Sequence, residues 1–128
     1  MAIELNHTIV PAHDPEASAQ FLAGILGLEV SPPVAHFTPV ALANGVTLDY
    51  DRYDEVHENH YAFLVSAAEF EASFGRIRDT GVPYYADPAC QRAGQTYAAK
   101  NGNRGVYFRD PDGHLMEILT ASSAGAAS

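Results

Sequence analysis

One cysteine, seven basic residues and no long apolar run define this chain of 128 residues by what it has little of. Cys90 stands alone, so no internal disulfide can form and no CxxC metal or redox pair exists. Seven Lys and Arg face sixteen Asp and Glu, which leaves a net charge of −9. That balance argues against nucleic acid or an anionic membrane surface as the main partner, and mildly favours a cationic or neutral ligand. No apolar segment approaches the roughly 18 residues of a membrane-spanning helix. The opening MAIELNHTIV has neither a basic region nor a long apolar run, so a signal peptide is not expected and a soluble cytoplasmic protein is. There is no Ser-His-Asp order, phosphate-binding glycine loop or nucleotide fingerprint.

What is present suffices for one compact domain, with 47% hydrophobic residues to fill a core. The chain contains itself twice. His7 falls on His60 at an offset of 53, and the same offset places Phe21 on Phe74. Each half then ends in hairpin patterns, ALANGVTLDY with a two-residue Asn44-Gly45 turn and GVYFRDPDGHLMEIL with its turn at Asp110 to Gly113. Aligning the last strands puts Asp49 on Glu117 at an offset of 68, so the second half carries 15 extra residues. They fit in the stretch from Asp87 to Arg104, which has no clean period. Residues 1–53 form a first module, 54–59 a polar linker, 60–120 a second module, and 121–128 a disordered tail.

Each module reads as a strand, a helix and a run of strands. The first strand spans Ile3 to Val10. Helix one has Asp14 as N-cap, Pro15 at its first position, Phe21, Leu22, Ile25 and Leu26 on its apolar face, and Gly27 as its stop. Strands follow near Ala35 to Ala43 and Val46 to Asp51. The second module opens with a strand from His60 to Val65. Ser66 and Glu69 have capping-box spacing before a helix striped with Phe70, Phe74 and Ile77 and stopped at Gly81. Strands near Tyr84–Tyr85, Val106 to Arg109 and Leu115 to Thr120 complete it.

Strand parity then sorts the ionisable residues. His7, His60, Asp49 and Glu117 fall on the face opposite Leu48, Phe63, Met116 and Ile118, which suit covering helices. A carboxylate inside LMEIL is costly to bury without a partner. An arginine is one such partner, and a strand histidine is often structural. A metal ion is the other, since two imidazoles and one carboxylate leave open positions on a divalent ion.

The ending GVYFRDPDGHLMEIL and the opening LNHTIVPAHDPEASAQFLAGILGLEV resemble the vicinal oxygen chelate superfamily, the glyoxalase/bleomycin resistance/dioxygenase group. The resemblance covers about Ala2 to Thr120. It implies an α+β fold of two βαβββ modules forming an open half-barrel. It implies His7, His60 and Glu117 as metal ligands, with Fe(II) first and Mn, Ni or Zn as other candidates. Asp49 matches the position of a fourth ligand in glyoxalase-like members but is one methylene shorter; it stands as fourth ligand or proton shuttle. His36, Tyr97 and Tyr107 are the candidates to line the substrate cleft. The implied function is a metal-dependent enzyme that chelates two oxygens of a small substrate, with dioxygenase, lyase or isomerase chemistry, working as a homodimer. The alternative is a metal-free protein that sequesters an antibiotic or other small ligand. His13 and His57 read as solvated, His114 as a local turn residue, and Gly102 and Gly105 as turn glycines.

Overall fold

The computed structural model describes residues 2–120. The tail expected to be disordered lies outside the described residues. Contacts divide the chain into two units, Met1–His57 and Glu58–Ser128.

In the first unit, β1 (His7–Ala12) leads into α1 (Pro15–Leu26), followed by β2 (Thr38–Ala41) and β3 (Thr47–Arg52). The sheet order is β1-β3-β2, with β1 parallel and β2 antiparallel to the central strand. The first strand starts at His7 rather than Ile3. Its rungs against β3 begin at His7 opposite Thr47, and Thr47 donates to the Asn6 carbonyl at 3.0 Å. The residues before that rung have no strand beside them among those described, and Ile3 is fully exposed. The Asp14 carboxylate accepts from the Ala17 N–H at 3.1 Å, Pro15 holds the first helical position, and Gly27 closes the helix with a left-handed φ of 73°. Small residues let α1 lie close to the sheet: Ser18, Ala19 and Ala23 are buried beside Leu22 and Ile25. Phe21 and Leu26, expected on that face, sit at its margins and are half-buried.

The strand expected from Ala35 to Ala43 is shorter. Ala35 turns the chain at a positive φ of 52°. What remains before β2 is one bridge, Val34 with Phe37, and one N–H from Ser31 to the Pro39 carbonyl at 2.9 Å.

In the second unit, β4 (His60–Leu64) leads into α2 (Ala67–Thr80), then β5 (Tyr84–Tyr85), β6 (Tyr97–Ala98), β7 (Arg104–Arg109) and β8 (Leu115–Leu119). The order is β4-β8-β7-β5, and β6 also pairs with β7. Both sides of the expected capping box are made: Glu69 N–H to Ser66 Oγ at 3.1 Å, and Ser66 N–H to Glu69 Oε1 at 2.8 Å. Phe70 and Ile77 are buried, while half-buried Phe74 packs edge-on against Tyr84. The stretch read as irregular contains β6, held antiparallel at Tyr97–Gly105 and Ala98–Arg104. Asp87 organises the loop before it by accepting from the Gln91 and Arg92 N–H groups.

Both sheets are mixed and share one register. In the first, Ile9 stands opposite Asp49; in the second, Ala62 stands opposite Glu117. Each histidine therefore lies two residues before the position facing the acid. The two final hairpins also share one loop geometry. Leu42 donates to Val46 and Gly45 donates back to Leu42; Asp110 donates to His114 and Gly113 donates back to Asp110. Gly45 and Gly113 adopt φ of 85° and 87°, values that favour glycine. The Asn44-Gly45 turn is thus a three-residue loop rather than the two-residue turn its sequence suggests. The result is an α+β fold of two βαβββ-type modules, and no helix among the described residues is long and apolar enough to cross a membrane.

The two N-caps lie in separate units, so their contributions add. Asp14→Ala and Ser66→Ala each lower unfolding stability by about 1 kcal/mol, and the double variant loses about the sum, in urea titrations followed by circular dichroism.

Candidate metal centre

Strand β8 runs through the second sheet between β4 and β7, and all but its last residue are buried. Met116 and Ile118 are fully buried on one side, as the alternating pattern requires. Glu117 faces the other way, yet its side chain is only 10% exposed. His60, Tyr97 and Tyr107 account for that enclosure.

His60 begins β4 and reaches along the strand to Glu117, with Nε2 at 3.1 Å from Oε1. The other ring nitrogen, Nδ1, lies 3.0 Å from the Leu115 carbonyl. A carbonyl oxygen can only accept, so Nδ1 carries the proton. In the neutral ring, Nε2 then presents a lone pair to a carboxylate oxygen that also presents one. Two acceptors at this distance require a cation between or beside them, either a proton or a metal ion. A backbone carbonyl that fixes the far nitrogen is the usual support of a metal-binding histidine. The donor set fits a divalent cation on these grounds.

The other oxygen of Glu117 accepts from the Tyr97 hydroxyl at 2.6 Å. Tyr107, opposite Glu117 on β7, has its ring centroid 5.8 Å from that of Tyr97 and 6.1 Å from that of His60. Burial, followed by the bond to Glu117 and its charge, pushes the Tyr97 phenol far above the usual tyrosine range. Burial and then the Glu117 charge raise Tyr107 in the same direction. Both phenols thus remain proton donors at neutral pH. The structure brings together His60, Glu117, Tyr97 and Tyr107 of the expected residues.

An arginine partner for Glu117 does not arise from the neighbouring strand. Arg109 donates to Glu58 at 2.7 Å and to the Gly113 carbonyl at 2.8 Å, and Arg104 pairs with Glu71. Gly105, read as a turn glycine, lies inside β7 and is buried. A Cβ there would overlap the Tyr97 ring and hydroxyl. The glycine is a site of close approach, which its place in the turn-like run NGNRG conceals.

In the first unit, His7 is exposed and its Nδ1 lies 2.7 Å from Asn6 Oδ1. Asp49 occupies the register position of Glu117 and is half-buried. His36 is 68% exposed, lies tilted beside Phe37 with ring centroids 4.2 Å apart, and has Nε2 3.5 Å from Asp51. Among the described residues, no three His, Cys, Asp or Glu side chains are gathered where they could hold a metal ion; His60 and Glu117 are a pair.

His114 is more than a turn residue. It is fully buried, its Nδ1 accepts from the Asn59 N–H at 2.9 Å, and Tyr61 meets its ring edge-on at 5.6 Å. It ties the entry of β4 to the start of β8 and so fixes where His60 stands. His114→Ala leaves a cavity and an orphaned N–H, and lowers stability by about 3 kcal/mol. His36→Ala changes it by less than about 0.5 kcal/mol. Chemical denaturation of the two variants side by side separates the structural histidine from the surface one.

The comparisons with known proteins follow the same lines. Residues 4–118 match the Glyoxalase/Bleomycin resistance protein/Dioxygenase superfamily. The solved structure of the oxidase ChaP-H2 is 55% identical, with 94% of each chain covered and a TM-score of 0.90. The glutathione transferase FosA of Serratia marcescens is 29% identical, covering 97% of this chain and 85% of that one. The metallothiol transferase FosB of Shouchella clausii is 25% identical, covering 94% of this chain and 82% of that one. All three relatives bear the names of enzymes. With the family matched over almost the whole of both repeats, the chain belongs to the Glyoxalase/Bleomycin resistance protein/Dioxygenase superfamily.

Proposed function

We propose that this protein is a metal-dependent enzyme that oxidises or oxygenates a small organic substrate bound through two of its oxygens. The observation that supports the reading is His60 Nε2 standing 3.1 Å from Oε1 of the enclosed Glu117, with Nδ1 turned to the Leu115 carbonyl. His7 is the third ligand in this reading, as the family resemblance implies. Fe(II) is the first candidate for the ion, with Mn, Ni and Zn behind it, because two imidazoles and a carboxylate leave room for substrate on any of them. The bound cation supplies Lewis acidity to the two substrate oxygens.

The remaining roles belong to the chain's own groups. Tyr107, held protonated beside Glu117, donates a hydrogen bond to substrate. Asp49, on the same face of its sheet as His7, accepts or returns a proton. The oxidase name of the ChaP-H2 relative favours oxidative chemistry over lyase or isomerase chemistry. The chain acts as a homodimer in the cytoplasm in this reading. Sequestration without reaction is the weaker reading, because FosA, FosB and ChaP-H2 are all named for reactions.

Elemental mass spectrometry of the untagged protein tests the proposal. The wild type carries roughly one equivalent of a divalent transition metal, and His60→Ala and Glu117→Gln each lose most of it. A wild type that stays empty after reconstitution with Fe(II), Mn(II), Ni(II) and Zn(II) in turn sinks the metal reading.

A further inference from the structure

A carboxylate can bind a cation through one oxygen or both. We propose that Tyr97 is a positioning residue that occupies Glu117 Oε2 and so leaves Oε1 alone to bind the cation. The inference rests on the metal reading above and adds to it how the carboxylate is held. The phenol donates to Oε2 at 2.6 Å, a short bond of the charge-assisted kind. Oε1 is the oxygen already turned to His60 Nε2. The two contacts divide the carboxylate, one oxygen to each side.

Gly105 shows that this contact is built into the strand. A glycine inside a strand weakens it, by about 0.5–1 kcal/mol against alanine in the usual case. Gly105 is not in a left-handed conformation, so backbone geometry does not demand it. What demands it is space: the Tyr97 ring lies across its Cα, where a Cβ would overlap ring carbons and the hydroxyl. Tyr97 and Gly105 are direct rung partners, and from that rung the ring extends past Tyr107 to Glu117. The 15 residues that distinguish the second repeat from the first contain β6, and β6 carries Tyr97. The first repeat has the shorter Asp49 at the matching place and no such segment. The insertion is therefore the device that delivers a phenol to the acid of one module only.

The test uses Zn(II), a redox-silent probe, on the full chain and on Tyr97→Phe, Gly105→Ala and the double variant. Binding is measured by competition calorimetry. The mode of Glu117 is read by isotope-edited infrared spectroscopy, in which the splitting of the carboxylate stretches separates one-oxygen from two-oxygen binding. Wild type is expected to show one-oxygen binding and Tyr97→Phe to shift toward two. Affinity falls about 10-fold in Tyr97→Phe and similarly in Gly105→Ala. The double variant is no weaker than Tyr97→Phe, because both changes remove the same bond.

Two-oxygen binding in the wild type overturns the proposal. So does a Tyr97→Phe variant that keeps wild-type affinity and splitting, or losses that multiply in the double variant. In those cases the wild type still binds zinc and the metal reading stands. A wild type that binds neither zinc nor any of the other ions removes both. Should Gly105→Ala fail to fold, Tyr97→Phe decides the matter alone, since it keeps the ring and deletes only the hydroxyl.

Discussion

A carboxylate placed in the middle of a buried strand is the constraint around which the second unit is arranged. Glu117 sits between Met116 and Ile118, both fully buried, in the strand shared by β4 and β7. An unpaired charge in such a place costs several kcal/mol. Each nearby feature reduces that cost. His60, with Nδ1 turned to a carbonyl, offsets the charge once a proton or a metal ion stands between its Nε2 and the carboxylate. Tyr97 caps the second oxygen. Tyr107 closes the remaining side. His114, buried and bonded to the Asn59 backbone, anchors the start of the strand from which His60 reaches. The arginines of β7 are engaged with Glu58 and Glu71, so the carboxylate is left to its imidazole and phenol partners.

Much of the scaffold was legible because its signals are local. Asp14-Pro15 and Ser66 with Glu69 mark helix starts through side chains that satisfy backbone donors a few residues away. Alternation in HTIV, HYAFL and LMEIL places the histidines and the acids on the faces they occupy, since parity needs no knowledge of partners. The shared register followed from the repeat. Where the reading failed, the deciding contact was distant in sequence. A two-residue strand such as β6 is too short to carry a period, and its existence depends on Arg104 and Gly105 lying opposite. Gly105 looked like a turn because its neighbours are turn residues. The burial of His114 depends on Asn59 and Tyr61, more than fifty positions away. The shortened strand before Thr38 is of the same kind: Ala35 turns the chain at a positive φ between the bridged Val34 and Phe37, and its residue type gives no local sign of that.

The two modules keep the same rungs and the same hairpin loops but have diverged in what surrounds the acid. The first has an exposed His7, a shorter acid, and a strand face on which Ile9 is 39% exposed. The second has lengthened the acid to Glu117 and covered it. Duplicated scaffolds of this kind separate labour: one copy remains open and the other becomes enclosed, while the backbone pairing that sets direction is left untouched.

That pairing places an unequal tolerance for length change along the chain. The three-residue loops at Ala43 to Gly45 and Pro111 to Gly113 each fix the phase of the strand that follows, since side chains alternate with every residue. Deleting one residue from the second loop would turn the acid of β8 to the side where Met116 and Ile118 are buried and bring one of those to the face Glu117 occupies. The segment before β7, by contrast, lies upstream of a strand whose phase is set by its neighbours β8 and β5. Added length there leaves the acid undisturbed, and it is there that the second repeat is longer than the first. The two kinds of segment are thus constrained in opposite senses: the short turns are rigid in length, and the stretch without a period is where length can change without moving the acid.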